Sequence, residues 1–430
     1  MPAAVPPRAV RPLVRPPDAV VTVPGSKSIT NRALVVAALA AGRSRLTGVL
    51  VSDDTEAMAG ALTSMGSRLA LDPSTLTIEV EGWDGRVPPG PMRIDVRQAG
   101  TAARFLPAVC ALGTGRYLVD GDAQMRARPM AGLVEGLRAL GVEVASSPGG
   151  GLPLEVTGQG GKGVAGGRLA VDASVSSQFL SGLLLSSPYF TAGIALEATG
   201  RVVSRPYLEL TAATMAAFGV GVDIGTGGDR FTVAAGQRYS ATQLAVEPDA
   251  SAASYFFAAA AVTGGRARVE GLGTASRQGD LRFVDVLAAM GATVERGPSY
   301  TEVRGGPLRG VDVDMADLSD TVPTLAVTAA FASSPTRIRG VGFIRAKESD
   351  RLAAVAAELR RCGVRAEELD DGLVVHPGPP RAAEVHTYDD HRMAMAFAVA
   401  GLAVDGISIA GPGCVAKTFP GFFEALDQLR

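Results

Sequence analysis

Charged and hydroxyl side chains recur in this 430-residue chain where an apolar helical run is about to begin. Lys27 and Ser28 open such a run in PGSKSITNRAL, where Ser28 is the predicted helix cap, and Asp389–Arg392 precede another in YDDHRMAMAFAVAG. The first turn of a helix has unpaired N–H groups and a partial positive charge, so it favours phosphates and carboxylates. Several such starts in one chain predict a substrate, or a pair of substrates, rich in negative charge.

Other predicted helix starts carry residues of the same kinds. The residues concerned are Arg32 in the first segment, Gly100 in QAGTAARF, Arg128 before Pro129, Ser176, Ser177 and Gln178 in VSSQFLSG, Ser204 and Arg205 in VSRPYLEL, and Lys417 in KTFP. Small or hydroxyl residues there let a ligand approach the backbone N–H groups. The alternative for each segment is an ordinary capped helix or a tight turn, and local sequence does not decide between them.

The segment IRAKESDRLAAV combines cations with a carboxylate. On a helix, Lys347 and Arg351 would face the same way and repel each other by a few tenths of a kcal/mol, which Glu348 would partly offset. We interpret this as a site that awaits an anionic ligand; a solvated cluster of ion pairs is the alternative. Asp320, a lone carboxylate in LSDTVPTLAV, is either a helix N-cap or, in a cationic cleft, a proton carrier.

A repeat positions these segments. Helical patterns end in glycines that recur every 72–78 residues, at Gly66, Gly141, Gly219, Gly291 and Gly363. A second series of helices begins at intervals of 69–76 residues, near Ser28, Thr101, Ser177, Ser251, Asp320 and His391. The pattern predicts six units of two helices and several strands, and the chain length favours two domains of three units each.

The unit boundaries predict where the chain passes between domains. One crossing falls near Ala245–Pro248, and a second falls at Pro24-Gly25 if a first strand, Ala19–Val23, joins the second half. We therefore expect residues 1–25 with 247–430 to form a C-terminal-half domain, and 26–246 an N-terminal-half domain. The expected active site is the cleft between them. Residues 1–18, rich in proline, are predicted to be a partly extended tail.

Composition excludes several classes of protein. A net charge of −2 argues against a nucleic-acid binder, and no apolar run of membrane-spanning length or signal peptide is evident, so we expect a cytoplasmic protein without a membrane partner. Cys110, Cys362 and Cys414 have neither metal-ligand nor disulfide spacing. Cys110 and Cys362 are predicted to be buried thiols, and no metal is expected.

Eight motifs, in order, carry a resemblance: PGSKS-x-TNRAL, AGTAxRF, RP, SSQF, SRPY, ESDR, DDHRMAM and KTFP. They resemble the 3-phosphoshikimate 1-carboxyvinyltransferase (5-enolpyruvylshikimate-3-phosphate synthase) family from about residue 19 to 430. The resemblance implies an α/β, two-domain enolpyruvyl transferase fold, with three βαβαββ units per domain, helices inward and sheets outward. It implies transfer of the enolpyruvyl group of phosphoenolpyruvate to the 5-hydroxyl of shikimate 3-phosphate, releasing phosphate through a tetrahedral intermediate, without a cofactor. This step belongs to the shikimate pathway toward chorismate and aromatic amino acids, and a monomer is expected.

The resemblance also implies site residues. Shikimate 3-phosphate would contact Lys27, Ser28, Arg32, Ser176, Ser177, Gln178, Ser204, Arg205, Asp320 and Lys347. Phosphoenolpyruvate would contact Lys27, Gly100, Arg128, Gln178, Arg351, Arg392 and Lys417. Asp320 would take the proton of the 5-hydroxyl, Glu348 would manage the proton at the enol methylene, and Lys27 would assist proton transfer.

Three positions depart from the family pattern. Gln98 stands where Asn is usual, Phe105 where Pro is common, and Phe343 where an Asn often contacts shikimate 3-phosphate. Gly100 matches the form that leaves room for glyphosate, so we expect glyphosate to inhibit this protein and Gly100→Ala to relieve the inhibition.

Two rival functions stay open at this point. UDP-N-acetylglucosamine enolpyruvyl transferases share the architecture but usually have a Lys-Asn pair and a reactive Cys in a mobile loop, whereas Ser28 follows Lys27 here. A non-catalytic module that binds phosphorylated metabolites is the other rival. Asp320 and Glu348 argue against that module, because a pure anion binder gains nothing from carboxylates in its cleft.

Overall fold

A computed structural model describes residues 6–430, and the chain divides into two compact units. We call Gly25–Val246 the N-terminal-half domain. The C-terminal-half domain contains Glu247–Arg430 together with the described residues up to Pro24. Each domain has its own hydrophobic core.

The strands are short and follow one another along the whole chain. They are β1 (Arg8–Ala9), β2 (Asp18–Val21), β3 (Arg43–Thr47), β4 (Arg68–Asp72), β5 (Thr77–Glu81), β6 (Met92–Asp95), β7 (Thr114–Asp120), β8 (Glu143–Ser146), β9 (Leu154–Gln159), β10 (Gly167–Asp172), β11 (Ile194–Thr199), β12 (Asp223–Ile224), β13 (Arg230–Val233), β14 (Gln243–Ala245), β15 (Arg266–Glu270), β16 (Thr293–Arg296), β17 (Tyr300–Arg304), β18 (Asp312–Asp314), β19 (Thr336–Arg339), β20 (Ala366–Leu369), β21 (Gly372–Val375), β22 (Ala383–His386) and β23 (Ile407–Ala410).

Helices alternate with these strands. They are α1 (Lys27–Leu39), α2 (Asp53–Ser64), α3 (Gly100–Leu112), α4 (Ala123–Arg126), α5 (Ala131–Ala139), α6 (Gln178–Ser186), α7 (Pro206–Ala217), α8 (Ala250–Thr263), α9 (Phe283–Met290), α10 (Val322–Ala329), α11 (Arg351–Arg361), α12 (His391–Ala403) and α13 (Phe422–Asp427). Within residues 6–430, none of them is long and apolar enough to cross a membrane.

Each domain contains three small sheets of one design. In the five four-stranded sheets, the first pair of strands is parallel and the next two pairs are antiparallel. Their strand orders are β14-β3-β5-β4, β6-β7-β9-β8, β10-β11-β13-β12, β2-β15-β17-β16 and β18-β19-β21-β20. With the intervening helices this is the βαβαββ unit, as predicted. Burial alternates along strands such as β3 and β19, so one face of each sheet is turned toward solvent.

Two strands complete sheets whose other strands are distant in sequence. Strand β2 runs parallel to β15 in the C-terminal-half domain, with Ala19 opposite Ala267. Strand β14 runs parallel to β3 in the N-terminal-half domain, with Leu244 opposite Leu46. The first strand therefore belongs to the second half of the chain, although it begins and ends slightly earlier than the predicted 19–23.

The predicted tail is structured in its described part. Strand β1 pairs antiparallel with β23, and in the sixth sheet, β1-β23-β22, it occupies the place that the third strand has elsewhere. The Arg8 guanidinium lies 4.6 Å from the ring centroid of Phe423, and Val10 packs against Gly401. The prediction of a partly extended tail did not include this pairing, in which the backbone of 8–9 completes a ladder. Residues 1–5 lie outside the described part.

Three helices form the core of each domain. Helices α1, α3 and α6 pack together in one, and α8, α10 and α12 in the other. Their sequences are apolar on nearly every side, as expected for helices buried all round. The predicted starts are confirmed to within two residues. The glycines that follow the outer helices have φ between +78° and +119°, the left-handed conformation predicted for helix ends, at Gly66, Gly141, Gly219, Gly291 and Gly363.

A glycine permits a close approach of two core helices. A Cβ atom added at Gly182 of α6 would lie 2.1 Å from the backbone oxygen of Arg104 in α3. Backbone of a buried helix cannot move aside as a flexible side chain can, so alanine there would force α3 and α6 apart. By contrast, nothing lies within 4 Å of a Cβ added at Gly60, an exposed position of α2.

We predict that Gly182→Ala lowers the free energy of unfolding by about 1–3 kcal/mol through overpacking, despite alanine's higher helix propensity. The matched control, Gly60→Ala, should raise it by up to about 1 kcal/mol. Urea unfolding of both variants measures the two effects. Equal stabilisation by both substitutions would contradict the close helix contact.

Candidate active site

Arg351 joins three carboxylates in the C-terminal-half domain. It is the first residue of α11, and its side chain is only 1% exposed. Its Nε donates to Asp390 Oδ2 at 2.8 Å, its Nη1 to Asp320 Oδ1 at 3.1 Å, and its Nη2 to Glu348 Oε2 at 2.8 Å. Burial alone would lower the pKa of Arg351, but the three carboxylates raise it above its usual value. The guanidinium therefore stays charged and fixes the positions of the acids around it.

Asp320 connects Arg351 with a second arginine. Arg392, nearly buried at the start of α12, donates from Nη2 to Asp320 Oδ2 at 2.5 Å. The N-cap of α10 is Thr321, and no side-chain capping bond forms there. Asp320 is thus held between two guanidiniums, and the interpretation of this carboxylate as a helix N-cap is wrong.

Asp390 is the fully buried partner in this network. It accepts hydrogen bonds from Ser349 Oγ at 3.0 Å and from the backbone N–H of Arg392 at 2.9 Å, besides those from Arg351. The same carboxylate therefore caps α12 and orients Arg351. Asp390 belongs to the DDHR segment, but no role was predicted for it; its position directly before a helix was the available signal.

Lys347 lies elsewhere than predicted. It follows the 3-10 turn Gly342–Ala346 and precedes α11, so Lys347 and Arg351 do not share a helical face. The Lys347 ammonium lies 5.7 Å from the ring centroid of Phe343, the residue that replaces the usual Asn. The predicted repulsion between Lys347 and Arg351 on one helical face was therefore wrong, and the chain's own carboxylates compensate Arg351 and Arg392. An anionic ligand at this segment stays a prediction.

A further buried carboxylate, missed in the sequence, lies close to Asp320. Asp280 belongs to the 3-10 turn Gly279–Arg282 and accepts a hydrogen bond from the Ser251 hydroxyl near the start of α8. Burial, and then the charge of Asp320, raise the pKa of Asp280 to about 6, against the opposing effect of Arg392. Nothing in the sequence around QGDLRF marked this residue. Lys417 is also buried in this domain, at the end of the 3-10 turn Pro412–Lys417.

The N-terminal-half domain gathers two arginines at the start of α3. Gly100 is the first residue of α3, and Ala99, which precedes it, has no side chain that could cap the helix. The Nη1 of Arg104 donates to the Gly100 carbonyl at 3.2 Å, and its Nη2 to the Pro129 carbonyl at 2.9 Å. A Cβ added at Gly100 would lie 2.9–3.0 Å from guanidinium nitrogens of Arg104 and Arg128. Two buried guanidiniums beside a helix start without a side-chain cap suit an anion. Arg104 was missed, although it stands four residues after Gly100 on the same helix face.

Lys27 is paired within this domain. Its Nζ lies 3.1 Å from Oδ2 of Asp54, a nearly buried residue in the first turn of α2. The side chain that caps α1 is Ser26, which accepts from the Ile29 N–H; the predicted cap, Ser28, lies inside the helix. The ion pair with Asp54, missed in the sequence, holds the Lys27 ammonium at the start of α1.

Arg32 is fully enclosed by its own domain. It donates to Thr211 Oγ1 at 2.8 Å, to the Ser28 carbonyl at 3.0 Å and to Ser181 Oγ at 3.3 Å, and lies 5.2 Å from the ring centroid of Phe105. Burial lowers the pKa of Arg32 to about 10. These contacts give Arg32 a packing role and explain Phe105 at this position. A direct contact of Arg32 with substrate stays a prediction.

The remaining predicted residues lie at the starts of α6 and α7, which pack together. Ser176 Oγ accepts from the N–H of Gln178 at 3.2 Å, and Ser177 is buried beside it. Ser204 has φ of +52°, and the side chain of Arg205 is 41% exposed, 3.5 Å from Glu209. This end of the domain offers mostly neutral hydrogen-bonding groups.

The chain is similar to known proteins along nearly its whole length. The model of the family "EPSP synthase (3-phosphoshikimate 1-carboxyvinyltransferase)" matches residues 14–426 of this chain. The chain belongs to this family. A 3-phosphoshikimate 1-carboxyvinyltransferase from Nostoc punctiforme is 49% identical to it over 419 residues, which cover 97% of each chain. The family resemblance carried by the eight motifs is confirmed, and so is the classification as a transferase.

Solved structures of EPSP synthases agree with the fold. The enzyme from Acinetobacter baumannii has a TM-score of 0.83 and 26% identity, with 98% of each chain covered. The enolpyruvyl transferase NikO from Streptomyces tendae, at 19% identity and a TM-score of 0.79, shows the same fold. The predicted enolpyruvyl transferase fold is confirmed.

The thiols are unsuited to nucleophilic chemistry. Cys110 and Cys362 are buried, as predicted. Burial raises the pKa of Cys362 to about 11 and of Cys414 to about 12, and raises that of Cys110 as well. All three stay protonated at neutral pH, unlike the reactive cysteine expected of the UDP-sugar enzymes. Within residues 6–430, no group of three or more His, Cys, Asp or Glu side chains is arranged to hold a metal ion.

Asp280→Asn should stabilise the protein at neutral pH. Below pH 3.8, Asp280 is protonated in both folded and unfolded chains; between about 4 and 6, only the unfolded chain loses the proton, so stability falls as pH rises. Above pH 6 the folded carboxylate carries a constant penalty, which the amide removes. We expect a gain of about 1–3 kcal/mol at pH 7.5, and almost none at pH 4. Urea unfolding at both pH values measures this, and an equal effect at both would contradict the buried carboxylate's role.

Proposed function

We propose that this chain transfers the enolpyruvyl group of phosphoenolpyruvate to the 5-hydroxyl of shikimate 3-phosphate and releases phosphate. One observation carries the proposal: Asp320 is held between Arg351 and Arg392, with Glu348 on the same guanidinium. This reaction needs groups that carry protons and groups that bind anions. Here the two carboxylates can carry protons, and the arginines around them can bind anionic groups of the substrates. Family membership supplies the substrates, since the relatives are named for this reaction.

The reaction consists of an addition and an elimination. In the addition, the methylene carbon of phosphoenolpyruvate gains a proton, the adjacent carbon acquires cationic character, and the 5-hydroxyl oxygen attacks that carbon. Asp320 accepts the hydroxyl proton. In the elimination, the new methyl group loses a proton and the carbon–oxygen bond to phosphate breaks. We assign to Glu348 the transfer of the proton to and from the methylene carbon, with Lys27 assisting.

The anionic groups of both substrates need fixed cations. We propose that phosphoenolpyruvate binds Lys27, Gly100, Arg128, Gln178, Arg351, Arg392 and Lys417, and add Arg104, whose guanidinium adjoins Gly100. We propose that shikimate 3-phosphate binds Lys27, Ser28, Arg32, Ser176, Ser177, Gln178, Ser204, Arg205, Asp320 and Lys347. Arginine guanidinium groups form bidentate hydrogen bonds with the oxygens of carboxylates and phosphates. That one cleft between the domains holds both substrates stays a prediction, as do the cytoplasmic location and the monomeric state.

Burial supports this proposal over a surface cluster of ion pairs. Arg128, Arg351, Arg392 and Lys417 are each less than a tenth exposed. Preorganised charges in such an environment stabilise the transition state without reorganising at the moment of reaction. A module that only binds phosphorylated metabolites would be weakened by carboxylates among its cations, which disfavours that alternative.

Asp320→Ala should reduce kcat by about 10²–10⁴-fold, because the hydroxyl then lacks its base. The assay measures phosphate release from phosphoenolpyruvate in the presence and in the absence of shikimate 3-phosphate. The wild type should release phosphate only when both substrates are present. Asp312→Asn, which removes an exposed arginine-paired carboxylate of the same domain, is the control with unchanged turnover. Normal turnover in Asp320→Ala would refute the assignment of the base.

Gly100→Ala should relieve inhibition by glyphosate, a mimic of phosphoenolpyruvate. The added methyl group would press on the guanidiniums of Arg104 and Arg128 at 2.9–3.0 Å, and would narrow the space at the start of α3. We expect the inhibition constant to rise by roughly 10-fold or more, with a smaller rise in KM for phosphoenolpyruvate. Initial rates over both concentrations give these constants. A wild-type enzyme that glyphosate does not inhibit would contradict the prediction.

A further inference from the structure

A buried carboxylate outside the proposed site holds the segment that leads into it. Glu358 lies in α11, seven residues after Arg351, and is fully buried. It accepts hydrogen bonds from Tyr388 Oη at 2.8 Å, from the His386 N–H at 3.0 Å and from Arg361 Nε at 2.9 Å. Two of these three donors belong to residues 386–388, the segment that leads from the end of β22 toward α12.

That segment adopts an unusual backbone conformation. Tyr388 and Asp389 have φ of +54° and +55°, a region that residues other than glycine rarely occupy, and here two occur in succession. Such a turn persists only when surrounding contacts hold it. It delivers the chain to Asp390, the carboxylate that orients Arg351 and caps α12.

The segment is thus attached to α11 at two points. Near the start of the helix, Arg351 binds Asp390; about 10 Å further along, Glu358 binds Tyr388 and the backbone at His386. Tyr388 is 44% exposed, so its ring contributes little to the core, and its hydroxyl makes the specific contact. Burial and the Glu358 carboxylate raise the pKa of Tyr388, so the phenol keeps the proton that it donates.

We propose that Glu358 and Tyr388 are positioning residues, which hold the left-handed residues 388–389 and thereby place Asp390, Arg351 and Arg392 for binding the phosphoenolpyruvate anion. This inference rests on the proposed function, in which Arg351 and Arg392 are ligands of phosphoenolpyruvate. Glu358 and Tyr388 are not among the proposed substrate ligands, and in this proposal they act by positioning Asp390. Loss of the phenol hydroxyl leaves the buried core unchanged and loosens the turn that precedes α12.

Tyr388→Phe tests the proposal, because it removes one hydroxyl at an exposed ring. We expect KM and the calorimetric dissociation constant for phosphoenolpyruvate to rise roughly fivefold, with KM for shikimate 3-phosphate unchanged within about twofold. Glu358→Gln can keep both contacts, because its amide oxygen accepts from the His386 N–H and its NH2 group donates to the Tyr388 hydroxyl oxygen. It should restore most of the affinity that Glu358→Ala loses. Thermal unfolding of each variant separates these effects from general destabilisation.

Arg361→Gln is the matched control, since it removes a partner of the same carboxylate that is not part of the turn. It should leave both KM values unchanged. An unchanged affinity for phosphoenolpyruvate in Tyr388→Phe, or an equal loss of affinity for both substrates, would overturn the positioning role. Turnover by the wild type would still support the proposed function in that case. A wild type that binds phosphoenolpyruvate without releasing phosphate would overturn the function alone, and one that does not bind it would overturn both.

Discussion

A buried guanidinium that must be neutralised governs the C-terminal-half domain. Moving a charge out of water is unfavourable unless opposite charges and hydrogen bonds replace the solvent. Arg351 meets this condition through Asp320, Glu348 and Asp390, which come from three separate segments of the chain. The starts of α11 and α12 and the turn before α10 are therefore constrained to one place, and the proposed proton carrier is positioned by the same bonds.

The repeated unit explains how such a place arises. In each domain, three apolar helices pack together, and each is followed by a strand of an outer sheet. Because the same βαβαββ order recurs, the core helices also begin in the same structural context each time. The polar residues that interrupt the apolar pattern are concentrated at these starts. Strands β2 and β14 close the sheets with strands that are distant in sequence, so each domain is a complete assembly of three units.

The sequence predicted the repeat and the starts and ends of its helices well, and the side-chain partners poorly. Glycine at a helix end and polar residues at a helix start are local signals, since they depend on backbone geometry within a few residues. Lys347 was placed wrongly because the helix begins at Arg351, after a 3-10 turn that local spacing did not indicate. Ser28 was taken for the cap that Ser26 provides, a shift within the usual uncertainty of helix ends. For Arg32, the sequence did not indicate the hydrogen bonds to Thr211 and Ser181 within its own domain, and its contact with substrate stays a prediction.

By itself, then, the sequence determined the family, the number of units and the residues available for acid–base and anion chemistry. Only the tertiary structure decided which of these residues meet. Asp320 and Asp390 lie 31 and 39 positions from Arg351, and their contacts follow from the packing of α10, α11 and α12, which no spacing rule encodes. The same holds for Asp280 and Glu358, whose importance comes from burial beside other charges. Local pattern reports the conformation of a segment; the electrostatic environment of a side chain belongs to the folded whole.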